Sequence, residues 1–334
     1  MKRRLRLNIS LITVLAVLLA LSCTLAGVAK GDKNHFEVKN VDQFLAALGS
    51  GHTVVLAKGE YNLTKAKDYG KNDESKCYAW NNVGDGYELH IKNVRDLAIV
   101  GAGREKTAVV CEPRYANVFS FTGCSDIEVS NLTAGHTKEQ GYCSGGVLSF
   151  SNSKDIDIED CCLYGCGTYG IIAADSHDLS AENCIIKECS YGALDIRNCS
   201  DVSFSKSLVF DCGLKAAFNC FDLLSIINSS DFDMYEVEVK NNKTDTLFNL
   251  QGSLDAEIYS CKVSGNTVNY SVFKLRGTRA VLDGCSFSCN TVSKGWYSAR
   301  SSEDGGQAEY MVNRENKKLE ESDFLQMKYV PYRD

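Results

Sequence analysis

With 334 residues, a net charge of −7 and only two prolines, the chain reads as one continuous domain rather than two globular ones. The acidic balance, with no basic stripe interleaved with aromatics beyond the N-terminus, excludes nucleic acid as a partner. Five scattered histidines and the lack of matched Cys-x-x-Cys pairs argue against a metal site, and no cofactor is expected.

Residues 1–23 read as a signal peptide: Lys2, Arg3, Arg4 and Arg6 precede an apolar run from about Ile9 to Leu21, too short and wrongly flanked to span a bilayer. The stretch Ala20-Leu21-Ser22-Cys23 resembles a bacterial lipoprotein cleavage box. That resemblance implies export, lipidation at Cys23 and attachment to a membrane of the cell envelope, although Ala20 stands where the box usually has leucine. Cleavage after Gly27-Val28-Ala29 is the alternative and leaves a secreted protein. Residues 24–52 form a linker and a helix, because Val41, Phe44, Leu45 and Leu48 share one helical face. The polar stretch 65–86, KAKDYGKNDESKCYAWNNVGDG, reads as a loop or flap.

From there a unit recurs. RDLAIVG at Asp96 returns as SDIEVSN at Asp126, KDIDIED at Asp155, HDLSAEN at Asp178, SDVSFSK at Asp201, SDFDMYE at Asp231 and LDAEIYS at Asp255. The separations are 30, 29, 23, 23, 30 and 24 residues, and Arg279 takes the slot 24 later. Self-similarity at that period marks a solenoid. Each period holds short alternating runs with one buried face. Before the aspartate come Phe119 and Phe121, Leu148 and Phe150, Ile172 and Ala174, Leu194 and Ile196, Leu224 and Ile226, Phe248 and Leu250, then Phe273 and Leu275. After it come pairs such as Ile156 and Ile158, and a third stretch ends at Leu163, Ile186 or Val209. Three like-directed strands per turn predict an all-β fold, a single-stranded parallel β-helix over 53–297 with roughly nine coils stacked about 4.8 Å apart. The aspartates sit at corners, where a carboxylate satisfies local backbone N–H groups. Residues 298–334 abandon the period and become charged, a C-terminal cap or tail.

Sixteen cysteines in an exported chain raise a disulfide framework, but their positions favour buried free thiols stacked inside the coils. On the aspartate alignment Cys161, Cys184, Cys261 and Cys285 share one slot, Cys166, Cys189, Cys212 and Cys289 a second with Asn242 and Asn266 between, and Cys124 and Cys199 a third. Bridges between neighbouring coils remain possible on distance.

The opening VDQFLAALGSGHTVVLAKGEYNL, the LAIVGAG that follows and the Gly-Val-Leu-x-Phe, Asn-x-x-Asp-Ile coils resemble the right-handed parallel β-helix repeat proteins of the pectate-lyase-like superfamily, over about Phe36 to Tyr297. The resemblance implies a right-handed solenoid with a capping helix at its N-terminal end. It also implies that a substrate groove, if one exists, lies over the outer face of one sheet. None of that family's better-known catalytic signatures occurs: no Trp-x-Asp-His, no dense aspartate cluster for calcium, and no Asn-Thr-Asp, Asp-Asp, Gly-His-Gly, Arg-x-Lys series.

The two long periods place insertions 134–146 and 211–222 at one corner, where they would wall a trough. Asp175, Asp195 and Arg197 are the candidate catalytic groups, two carboxylates as acid and base with a guanidinium to neutralise an enolate or a uronate. Tyr169 and Tyr191 offer sugar-stacking surface, and Asn249, Gln251, Lys274 and Arg276 complete a substrate-binding strip. Two readings follow. One is an exported envelope protein presenting an elongated surface to a polysaccharide or cell-surface glycan, or to another partner, without catalysis. The other is a polysaccharide lyase or glycoside hydrolase acting in the trough.

Overall fold

The computed structural model describes residues 34–141, 143–214, 221–252, 255–299 and 310–313. Contacts divide the chain into Met1–Asn34, of which only Asn34 is described, and His35–Asp334, which carries every feature below. Cys23 and most of the stretch from residue 298 therefore lie outside the described residues.

Three sheets share the strands in strict rotation. The first sheet contains His52–Leu56, Arg95–Gly101, Ser125–Ser130, Lys154–Glu159, His177–Glu182 and their successors to Tyr310–Asn313; the second contains Cys162–Tyr164, Ile185–Lys187 and Leu208–Phe210; the third contains Leu148–Ser151, Tyr169–Ala174, Gly192–Arg197 and Asp222–Ile227. From His52 on the strands pair in parallel, so each coil lays one strand on each sheet beside the strand one coil earlier. The exception is an antiparallel hairpin of Tyr78–Asn82 with Tyr87–Lys92. That hairpin corrects the expectation of a loop over 65–86. Tyr78 and Trp80 are buried, and Trp80 meets the Tyr69 and Tyr78 rings edge-on at 5.0 and 6.3 Å.

One coil shows why the sequence turns as it does. Leu148 and Phe150 point inward along the third sheet, Asn152 bends the chain with φ of 48°, and Asp155 enters the first sheet with φ of 54°. Ile156 and Ile158 then point inward, Asp160 bends again at φ of 52°, and Leu163 fills the second sheet. The left-handed conformation costs an ordinary L-residue about 1–2 kcal/mol, and Asn and Asp relieve it with local hydrogen bonds. Their recurrence at Asp96, Asp126, Asp155, Asp178, Asp201 and Asp231, all with φ between 53° and 58°, is therefore architectural.

The interior is a set of columns. Phe121 stacks on Phe150 with centroids 5.0 Å apart and planes 5° off parallel, and Phe248 stacks on Phe273 at 4.8 Å and 11°. Those spacings are those of the strands themselves. The helix Val41–Ala47 buries Phe44, Leu45 and Ala47, and the Phe44 ring meets Tyr61 and Phe119 edge-on. Asn40 caps it, its Oδ1 accepting from the Gln43 N–H at 2.9 Å.

The register corrects one strand by a single residue. Leu148 pairs with Ile171 and Ile171 with Leu194, so Ile171 and Ala173 are buried while Ile172 and Ala174 face outward. Because side chains alternate at period two, the one-residue slip swaps the faces of the whole strand. The described cysteines are unbridged, and ten of them are buried. The second thiol column also needs a correction: backbone bonds carry it from Cys189 and Cys212 to Asn242 and Asn266 and then to Asn290. Cys289 is exposed at a corner with φ of 54°, one residue short of the interior slot.

Candidate functional site

The outer face of the third sheet gathers most of the expected site. Pairing places Ser149, Ile172, Asp195, Ser225, Asn249 and Lys274 in one row across the strands. The next row runs Ala174, Arg197, Ile227, Gln251 and Arg276. Asp195 and Arg197 form an ion pair, Nε to Oδ1 at 2.9 Å, with the Asp195 side chain 15% exposed and the Arg197 side chain 55% exposed. The carboxylate keeps the Arg197 guanidinium more firmly protonated than usual. An ion pair this open contributes about 0–1 kcal/mol to stability.

Asp175 stands elsewhere. It pairs with Asn198 rather than Arg197: its N–H donates to the Arg197 carbonyl at 3.0 Å, and its Oδ1 accepts from Asn198 Nδ2 at 3.0 Å. With φ of 51° it belongs to the corner series Asn152, Asp175, Asn198, Asn228. The position level with Arg197 on the neighbouring coil belongs to Ala174, which sets Asp175 one residue beyond the row.

In its place the structure brings in Asp222, which opens the strand Asp222–Ile227. Its Oδ2 accepts from Asn249 Nδ2 at 2.6 Å, and Asn249 Oδ1 accepts from Gln251 Nε2 at 2.7 Å. Asn249 is 2% exposed, so this chain is built into the sheet rather than draped over it. Burial pushes the Asp222 carboxyl above its usual range, against the opposing pull of Lys274, Thr246 and Asn249. The phenol of Tyr169, almost fully buried, is pushed up first by burial and then by the charges of Asp195 and Asp222. Its ring lies where a Cβ on Gly192 would come within 2.8 Å, and that same Cβ would sit 2.6 Å from the Leu223 carbonyl oxygen. Glycine at 192 is thus what admits the Tyr169 ring.

At the edge of this face Tyr191 stacks on Phe221, with centroids 3.4 Å apart and planes 10° off parallel, and meets Tyr169 edge-on at 6.2 Å. The Tyr191 hydroxyl donates to the Cys143 carbonyl oxygen at 3.0 Å. The expected insertions do meet at one corner, where Gln140 Nε2 donates to the Asp211 carbonyl oxygen at 2.9 Å. They enclose a cavity of about 430 Å³ lined by His136, Gln140, Tyr164, Glu188, Asp211 and Leu214 among others. That cavity opens beside the second sheet, around Tyr164, and not over the Asp195 row. His136 in its wall donates from Nε2 to the Ala116 carbonyl oxygen at 2.9 Å; the carbonyl has only lone pairs to offer, so Nε2 carries the proton.

Sequence reasoning missed Asp222 and Phe221 because both were assigned to the loop. The signal was there in the coil alignment: Asp222-Leu223-Leu224-Ser225 superposes on Gly192-Ala193-Leu194-Asp195. Among the described residues no three His, Cys, Asp or Glu side chains converge as metal ligands. No described helix is long and apolar enough to cross a membrane.

The family described as right handed beta helix region matches residues 111–224 and 145–317. The chain belongs to that family. Its coils supply the parallel columns described above, and the family name carries an architecture rather than a reaction. Among solved structures, ORF18 of Geobacillus virus E2 is 11% identical with a TM-score of 0.48, over 81% of this chain and 56% of that one. The catalytic domain of a GH87 alpha-1,3-glucanase in complex with nigerose is 12% identical with a TM-score of 0.45, over 84% and 57%. The A-module of the Azotobacter vinelandii mannuronan C-5 epimerase AlgE6 is 14% identical with a TM-score of 0.41, over 81% and 78%. The likeness is one of fold, and the chain spans little more than half the length of the first two. No curated protein matches the sequence.

Proposed function

We propose that the outer face of the third sheet binds a glycan chain, without turning it over. The observation that carries this reading is the adjacency of a stacked aromatic pair, Tyr191 and Phe221, to a pre-set strip of hydrogen-bonding groups, Asp195, Arg197, Asp222 and Gln251, the last two held by the buried Asn249. Sugars present apolar C–H faces to rings and hydroxyls to fixed polar groups, and a strip already hydrogen-bonded within itself loses little side-chain entropy on binding. Lys274 and Arg276 at the far end of the two rows favour a chain that carries carboxylates. Export of the chain and lipid attachment at Cys23 complete the proposal and rest on the signal-like N-terminus; mass spectrometry of the mature N-terminal peptide decides between a diacylated Cys23 and a plain cut after Ala29.

The test is a titration of the purified chain against uronate-containing and neutral polysaccharides. Tyr191→Ala is expected to weaken binding roughly tenfold, about 1.4 kcal/mol, while Tyr235→Ala on the first sheet leaves it unchanged. Equal losses in both variants would remove the assignment to this face.

One observation favours a second reading, cleavage. Asp222 has its carboxyl raised by burial, while Asp195 on the same face is held by Arg197. Two carboxyls in unlike surroundings on one face, one buried and one ion-paired, is an arrangement general acid–base chemistry uses. Turnover detected as unsaturated product or new reducing ends, and lost in Asp195→Asn with the fold intact, would establish it over binding alone.

A further inference from the structure

The loop between Thr133–His136 and Leu148–Ser151 carries one cysteine whose surroundings differ from those of the other interior thiols. Cys161, Cys184, Cys199 and Cys212 point their S–H groups at backbone carbonyls, 3.2–3.7 Å away. Cys143, only 4% exposed, instead faces a guanidinium and a hydroxyl. Arg114 Nη1 lies 3.8 Å from its Sγ and Ser190 Oγ 3.5 Å. Both groups are held in place. Arg114 Nη1 also donates to the Glu139 carbonyl at 2.8 Å, and the fully buried Ser190 hydroxyl donates to the Cys166 carbonyl at 2.8 Å, so that it bridges the Cys143 sulfur to Cys166.

A sulfur that faces a cation is favoured as thiolate. The Cys143 thiol is accordingly lowered, first by the Cys166 S–H and then by Ser190 and Arg114, with burial opposing, while the same contact raises Cys166. An attacking sulfur and a thiol to resolve it therefore stand as neighbours on either side of the Ser190 hydroxyl.

We propose that Cys143 and Cys166 form an oxidisable pair that hydroperoxide closes to a disulfide, clamping the 137–145 loop to the coil beneath it. In the first step the Cys143 thiolate attacks hydrogen peroxide. An S–O bond forms, the O–O bond breaks, and the departing hydroxide takes the Cys166 proton to leave as water, giving a Cys143 sulfenic acid. In the second step the Cys166 thiolate attacks Cys143 Sγ; the S–S bond forms and the S–O bond breaks, and the leaving hydroxide is protonated by solvent. Two electrons pass from the two sulfurs to one peroxide, and two waters result. The loop so fixed carries the Cys143 carbonyl that orients the Tyr191 hydroxyl, but the chemistry is independent of any glycan.

The folded full-length chain is treated with one equivalent of hydrogen peroxide, alkylated and digested, and the peptides are mapped by mass spectrometry. The Cys143–Cys166 linkage is expected first, while the exposed Cys289 and half-buried Cys77 remain alkylated. In Cys166→Ser the sulfenic acid persists at Cys143 and is trapped by dimedone, and Arg114→Gln slows wild-type oxidation roughly tenfold through the smaller thiolate fraction. A first linkage between Cys166 and Cys189, earlier oxidation of Cys289, or a rate unchanged in Arg114→Gln would overturn the proposal.

Discussion

Asn266 occupies the interior column where cysteines give way to asparagines, and replacing it tests whether like positions in successive coils are coupled. Its Oδ1 accepts from the Asn242 N–H and from Asn242 Nδ2, both at 3.0 Å. Its Nδ2 donates to the Val239 carbonyl at 3.0 Å and to Asn290 Oδ1 at 2.9 Å. In Asn266→Ala, Asn242 Nδ2 keeps the Val209 and Lys240 carbonyls, and Asn290 Oδ1 keeps the backbone N–H of residue 266. Two buried backbone groups, the Asn242 N–H and the Val239 carbonyl, are left without these partners. At about 1–3 kcal/mol each the loss is roughly 2–6 kcal/mol. A domain of this size shifts by about 2–4 °C per kcal/mol, so calorimetry should find the melting temperature lowered by roughly 5–20 °C. Asn266→Asp provides the sign check. It retains the acceptor for the Asn242 N–H but sets a carboxylate against the Val239 carbonyl and Asn290 Oδ1, so its folded-state pKa must rise above the unfolded value of about 3.9. The penalty is then small near pH 4 and grows as pH rises toward 7. An Asn266→Ala variant that melts within a degree or two of wild type would refute the reasoning, because it would mean the column's hydrogen bonds are individually dispensable.

Three further outcomes follow from the same geometry. Ile171→Ala should cost about 2–5 kcal/mol in urea unfolding, whereas Ile172→Ala, one residue later on the outer face, should cost under about 1 kcal/mol; the reverse order would overturn the register. Burial raises the Asp222 carboxyl in the fold, so ionising it opposes folding as pH climbs above the unfolded pKa. Asp222→Asn should therefore gain stability relative to wild type between pH 4 and pH 7, and a gap that stays flat with pH contradicts the burial argument. Gly192→Ala forces a methyl group against the Tyr169 ring and the Leu223 carbonyl. It should destabilise by about 1–3 kcal/mol and shift the near-ultraviolet circular dichroism of Tyr169; an unchanged spectrum and melting point would show that the ring moves freely.

Much of this was legible in the sequence because a solenoid repeats its own evidence. Alternation at Leu148 and Phe150, or Leu194 and Ile196, pins one face, and corner aspartates mark where each strand begins. The strand at 169–174 was misread because Ile171, Ile172, Ala173 and Ala174 are all apolar, so alternation vanishes there and only the neighbours' register decides. Asp175 was carried out of place by the same slip, and Cys289 by a similar one at the last column. The hairpin at Tyr78–Asn82 was hidden by its polar flanks, although Trp80 and Tyr78 supply the apolar side that seats it. Asp222 could be found only by superposing a coil that carries an insertion, since the long 211–222 segment separates it from its equivalents in sequence but not in space.

The assignment of the ligand face is tested most directly by hydroxyl-radical footprinting of the folded chain with and without the polysaccharide that binds it best. Protection is expected at Tyr191 and Phe221 on the third sheet, with Tyr235, 42% exposed on the first sheet, oxidised at the same rate in both samples. Protection of Tyr235 with Tyr191 and Phe221 unchanged would place the ligand on the wrong face and contradict the account.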